Sequence, residues 1–108
     1  MMNNLQQLIQ MGQQLQAKMN QLQEELADRA YEASAGGGMV TATVDGRGHL
    51  KSVTIDSSVV DPSDVEMLED LVLAAVAEAQ SRARSEVEQE MKKLAGGMPM
   101  PMNLPGLF

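Results

Sequence analysis

The sequence predicts an α/β chain of the α+β kind: a long N-terminal helix, a three-stranded antiparallel sheet and a long C-terminal helix. Three observations carry that reading. Apolar residues recur every three or four positions over residues 3–28 and again from 65 to 94, as on one face of a helix. Between these stretches the pattern switches to strict alternation, and glycine-rich turns interrupt it. The 108 residues are enough for one domain, expected over 1–96.

In the first helix Leu5, Leu8, Leu15, Met19, Leu22 and Leu26 keep a heptad spacing, with Gly12 in the remaining slot. Most other positions are Gln or Asn. At 1.5 Å per residue this helix runs roughly 39 Å, longer than the globular body such a chain can build. Its seam can pack on the second helix. The excess length favours a partner chain or an exposed arm.

Strands are expected at Tyr31–Ser34, Met39–Val44 and Leu50–Asp56. Val40, Ala42 and Val44 share one face of the middle strand, and Lys51, Val53 and Ile55 share one face of the last. Gly36-Gly37-Gly38 reads as a turn or bulge between strands, because it leads into a strand rather than into the helix N-terminus a phosphate loop requires. Asp45-Gly46-Arg47-Gly48 reads as a hairpin turn with glycines available for positive φ. Asp61-Pro62-Ser63-Asp64 predicts a helix start with Asp61 as N-cap and Pro62 at the first position. The helix should cover 62–94, with a break near Glu66 as an option, and end at Gly96-Gly97. Residues 97–108, rich in Met and Pro, are expected to form a flexible tail.

Composition excludes several classes of function. The chain has no cysteine, hence no disulfide or thiolate metal site, and a single histidine, hence no histidine cluster. The acids over 61–70 lack the alternating ligands and central glycine of a calcium loop. No nucleophile elbow surrounds Ser34 or Ser52. The expectation is a protein that is not an enzyme and takes no cofactor, metal or small-molecule substrate. With neither a secretory start nor a membrane-length apolar run, it is expected in the cytoplasm with no membrane partner. The core must be aliphatic, since the aromatics are one Tyr and one Phe. So thin a core, with strand faces larger than one helix can cover, predicts a homodimer.

Net charge is −7, which argues against a polyanionic partner until its distribution is read. Residues 61–80 carry six acids and no base, whereas residues 1–23 and 81–108 each sum to +1. Lys92 and Lys93 suit a helix C-terminus, and Arg82 lies at the edge of the apolar stripe, where its stem can cover apolar surface. No dense basic stripe forms.

The residues 36–40 (GGGMV), 45–48 (DGRG), 53–56 (VTID), 61–64 (DPSD), 66–71 (EMLEDL), the Ala74-Ala75 pair and the ending LPGLF occur in an order and spacing that resemble the bacterial YbaB/EbfC family of nucleoid-associated proteins. The resemblance covers nearly the whole chain, and makes 1–96 a single YbaB-like domain. It implies a tweezers-like homodimer with helical arms that binds double-stranded DNA in the nucleoid with little sequence preference, organising DNA and regulating genes. It assigns DNA contacts to Lys18 on the first helix and to Arg82, Arg84, Lys92 and Lys93 on the last. Ala77 departs from the pattern, standing where family members commonly have Asn. The rival expectation is a protein-interaction module whose Gln-rich helical arms and tail dock a protein partner, a reading that −14 per dimer, twice −7, supports.

Overall fold

A computed structural model describes residues 2–96. Helix α1 (Met2–Asp28) leads into strands β1 (Tyr31–Ala35), β2 (Val40–Val44) and β3 (Leu50–Ile55), a 3-10 turn at Ser57–Val59, and helix α2 (Val65–Gly96). The strands form one antiparallel sheet in the order β1-β2-β3. The expected elements are present in the expected order. The tail over 97–108 lies outside the described residues.

The sheet is built by two hairpins. In the first, Gly36, Gly37 and Gly38 all take positive φ, from 65° to 93°, a conformation that costs a side-chain-bearing residue about 1 kcal/mol or more. That places Tyr31 opposite Val44 and Ala35 opposite Val40. In the second, Val40 pairs with Ile55 and Ala42 with Val53, but the register slips at Thr43/Val44, so Leu50 rather than Lys51 stands opposite Val44. This bulge interrupts the alternation expected to carry Lys51 along with Val53 and Ile55. The Lys51 ammonium instead lies 3.5 Å from the Asp45 carboxylate.

Helix α2 lies across β1 and β2. Its fully buried side chains are Ala75, Ala79 and Ala83, one every four residues, and they face Tyr31, Ala33, Val40, Ala42 and Val44. Alanine on that row lets the helix axis approach the sheet closely, and the larger Leu68, Leu71, Val72, Val76 and Val87 close the flanks. Strand β3 is left largely uncovered, with Leu50 and Ile55 exposed.

The start of α2 differs from the expectation. Asp61 forms a turn of its own, its carboxylate accepting the Ser63 N–H and Oγ–H at 2.9 and 2.7 Å. Asp64 is the N-cap, accepting the N–H of Met67 at 3.2 Å. The helix therefore begins at Val65 rather than 62, because the carboxylate nearest Pro62 is already engaged. It then runs unbroken through Glu66.

Helix α1 meets the sheet only at its C-terminal end. Leu26 is fully buried, its carbonyl accepts the Tyr31 hydroxyl at 3.4 Å, and the Ala27 carbonyl accepts the Gly46 N–H at 3.0 Å. Two of the carbonyls orphaned at a helix end are thus satisfied. Gly46 is required here for room and not for φ: a Cβ on it would overlap the Leu26 carbonyl. Beyond this joint the helix projects, and the described chain measures 77 × 26 × 17 Å. Its radius of gyration, 20.8 Å, compares with about 13 Å for a compact chain of similar length.

Candidate nucleic-acid interface

The two helices extend past the sheet at the end where Tyr31 sits. Burial raises the Tyr31 phenol above its ordinary pKa, and Glu86 and Glu90 of α2 add to this against the opposing charge of Arg29. The residues following α1 and the far half of α2 therefore flank one side chain. On α1, Leu5 and Leu8 are 61% and 64% exposed, which is what such residues retain with nothing beside them. Leu15, Met19 and Leu22 are only half-exposed or less, so a neighbour covers them. The far half of α2 carries the matching half-buried row Val87, Met91 and Leu94. From Asp28 back to Leu15, and from Ala83 on to Gly96, each helix spans roughly 20 Å. The seam is thus covered at its base and bare at its tip.

Charge is divided along the same axis. The sheet-covering half of α2 and the loop before it hold Asp61, Asp64, Glu66, Glu69, Asp70 and Glu78, all exposed. Exposed Arg82 ends that half, and the far half holds exposed Arg84, Lys92 and Lys93 together with Glu86, Glu88 and Glu90. These four cations are not equivalent. Arg82 donates from Nη1 to the Glu32 carbonyl at 2.7 Å, tying α2 to β1. Lys93 pairs with Glu90 at 3.5 Å. Arg84 and Lys92 lie four residues to either side of Glu88, on an exposed row flanking the apolar one. Lys18 is exposed on α1 with no carboxylate within four positions along the helix. Lys18, Arg84, Lys92 and Lys93 thus lie on the projecting helices and Arg82 lies over β1, spread over the surface rather than gathered into a patch.

Two features escaped the sequence reading. Arg47, on the hairpin turn, is carried against α1, where it lines a cleft of about 390 Å³ with Asn20, Gln23, Glu24 and Ala27. The other is an apolar cleft of about 470 Å³ between β3 and α2, lined by Ile55, Leu68, Glu69, Val72, Leu73 and Val76. Leu73 is 69% exposed there. Helical spacing marked Leu68 and Val72, but nothing in the sequence shows that β3 lacks a cover. His49 is a surface residue, with Nδ1 3.6 Å from Asp45. Among the described residues no group of three or more His, Asp or Glu could hold a metal ion, and no helix is long and apolar enough to cross a membrane.

A small sheet covered by one long helix, with two helices prolonged beyond it and carrying the cations, defines an α+β protein with projecting arms. Residues 2–98 match the YbaB/EbfC DNA-binding family. Similar proteins include the nucleoid-associated proteins of Syntrophobacter fumaroxidans (52% identical, covering 87% of this chain and 86% of the relative) and Gemmatimonas aurantiaca (50%, covering 84% and 88%). That of Acetivibrio thermocellus is 48% identical over 97% of this chain and 90% of its own. Among solved structures, the uncharacterized protein HP0035 from Helicobacter pylori superposes with a TM-score of 0.54 at 27% identity, over 82% of this chain and 98% of that one. The chain belongs to the YbaB/EbfC family of nucleoid-associated, DNA-binding proteins.

Proposed function

We propose that the chain acts as a homodimer in the cytoplasmic nucleoid, binding double-stranded DNA through its helical arms with little sequence preference and contributing to nucleoid organisation and gene regulation. The observation that carries this, beside the family membership, is the concentration of acid at the sheet: residues 61–83 hold six acids against Arg82, whereas residues 84–96 balance Arg84, Lys92 and Lys93 against Glu86, Glu88 and Glu90. Lys18, Arg84 and Lys92 contact phosphates. Lys93 joins them by exchanging Glu90 for a phosphate, and Arg82 through the guanidinium donors left over from its bond to β1. Phosphate contacts hold a protein on the duplex without reading its bases, hence the low specificity.

The dimer forms through β3. Its outer edge has no strand partner among the described residues, and the apolar cleft with Leu73 lies beside it. At the other edge, Arg82 already occupies a carbonyl of β1. Two such surfaces together should bury more than roughly 1,000 Å², the lower bound for a stable interface. A light-scattering mass of one chain at micromolar concentration contradicts this part.

The DNA reading is tested by a mobility-shift titration on duplex DNA at about 50 and 200 mM salt. With about two to four phosphates neutralised per dimer, the log–log slope should be roughly −1.8 to −3.6, and affinity should fall about 12- to 150-fold. A second reading draws on the bare arm tip, where Leu5, Leu8, Ile9 and Met11 are all more than half exposed. An apolar tip of this kind suits a protein partner. No binding to duplex at the lower salt, together with capture of a protein that needs residues 2–14, establishes that reading instead.

A further inference from the structure

We propose that Arg47, with Asn20 and Gln23 of α1, forms a binding site for a DNA backbone phosphate at the base of the arm. The inference rests on the DNA-binding reading and adds to it a contact that comes from the hairpin turn and not from either helix.

The backbone of Arg47 is held on both sides. The Asp45 carboxylate, itself buried, accepts the N–H of Arg47 at 2.9 Å and that of His49 at 3.0 Å. Burial alone would raise the Asp45 pKa, but these two N–H groups, with the charges of His49 and Lys51, outweigh it, and the carboxyl lies below its ordinary value. Asp45 is therefore an anion whose acceptors are directed into the turn. On the other side, the Gly46 N–H is bonded to the Ala27 carbonyl, an approach open only to glycine at that position. The turn is thus locked onto α1, and Arg47 is delivered to the helix face one turn before its end.

That face presents donors. Gln16 donates from Nε2 to Oδ1 of Asn20 at 3.2 Å, which occupies the Asn20 carbonyl and leaves its NH₂ group to point outward. Gln23 stands one turn further along, beside the Arg47 guanidinium, and together they line the 390 Å³ cleft. Against these donors stand Glu24 in the cleft and Asp28 at its edge. Asp28 is a loose partner, with Oδ1 3.8 Å from Arg47 Nη1 and both side chains more than half exposed. Exposed pairs of that length contribute little, so a phosphate oxygen can replace Asp28 at small cost. A guanidinium presents paired N–H groups that match two oxygens of one phosphate, and flanking amides supply further donors. The ligand is a phosphodiester because the free hydrogen-bonding capacity of Arg47, Asn20 and Gln23 is mostly donor capacity.

The test compares the full-length chain with Arg47→Gln and Asp28→Asn in duplex titrations across 50–200 mM salt, with melting temperature and dimer mass measured alongside. Arg47→Gln keeps the backbone N–H that Asp45 accepts, so the turn and the melting temperature should be preserved. At about 50 mM salt its affinity should fall about tenfold, a loss that nearly vanishes at about 200 mM because the log–log salt slope becomes shallower by about 1.8 for two phosphates per dimer. Asp28→Asn should bind severalfold tighter. If the unaltered chain binds duplex and Arg47→Gln matches it in affinity and slope, the site is refuted while the DNA reading stands. If the unaltered chain does not bind at low salt, the DNA reading falls, and this site with it.

Discussion

Over residues 65–83, α2 turns an alanine row into the sheet and mostly acids outward, whereas beyond Ala83 half-buried Val87, Met91 and Leu94 continue the row and Arg84, Lys92 and Lys93 alternate outward with Glu86 and Glu88. The apolar period is the same in both halves, but burial falls from complete at Ala75, Ala79 and Ala83 to partial at Val87, Met91 and Leu94. Helix α1 repeats the contrast in the other direction, from buried Leu26 at the joint to bare Leu8 near the tip. The lesson is that periodicity reports which face of a helix is apolar, while burial depends on what the rest of the chain can bring alongside. The sheet end supplies stability and the proposed dimer face. The arm end is thin and carries Lys18, Arg84, Lys92 and Lys93, the residues proposed to contact DNA.

The contrast can be broken most sharply with one residue type on one helix. Leu26→Ala should cost about 3 kcal/mol, because the fully buried site cannot collapse around the missing side chain. By the usual scaling that lowers the melting temperature by roughly 12–24 °C. Leu8→Ala should stay within about 0.5 kcal/mol. Equal losses in thermal unfolding would mean that the tip is covered after all. Ala79→Leu should cost about 1–3 kcal/mol by forcing α2 off the sheet, whereas Ala77→Leu, on the exposed face, should be nearly silent.

A smaller difference separates the two acids before α2. Asp64→Ala removes the N-cap and should cost about 1 kcal/mol, while Asp61→Ala disturbs only a preceding turn and should cost less. The reverse order would restore Asp61 as the cap. The smallest effect is in acid. Asp45 (burial opposing, outweighed by the N–H groups of His49 and Arg47), Asp56 (bonded by Ser58) and Asp61 (bonded by Ser63) all have depressed pKa values. A depressed folded-state pKa contributes stability above the unfolded value, near 3.9, and loses it as pH falls through the folded one. Melting temperature should therefore be insensitive to these groups from pH 5 to 7 and decline below about pH 4. Asp45→Asn should flatten part of that decline.

Much of this was legible in the sequence. The alternation of Val40, Ala42 and Val44 set the buried face of β2, the triple glycine set the first hairpin, and the two helices announced themselves by period. The parts that were not legible have tertiary causes. Asp61-Pro62-Ser63-Asp64 contains two candidate caps, and only the bond from Ser63 to Asp61 decides between them. Gly46 reads as a turn residue, yet its necessity comes from the Leu26 carbonyl twenty residues away. Arg47 follows no helical period, so only the joint between turn and arm shows that it belongs beside Asn20 and Gln23. In the same way, no local pattern distinguishes an edge strand that is covered from one that is bare.

The central claim is that DNA meets the arm end and not the acidic sheet end. One titration of duplex DNA at about 50 mM salt tests it, comparing the unaltered chain with Lys18→Gln and with Glu69→Gln/Asp70→Asn. The account predicts that loss of the one α1 cation without a nearby carboxylate weakens binding about tenfold, as expected for removing a charged hydrogen bond. Neutralising the two acids should leave binding unchanged or strengthen it by easing repulsion. If the double acid variant loses DNA while Lys18→Gln binds normally, DNA contacts the sheet end and the division of labour between body and arm is wrong.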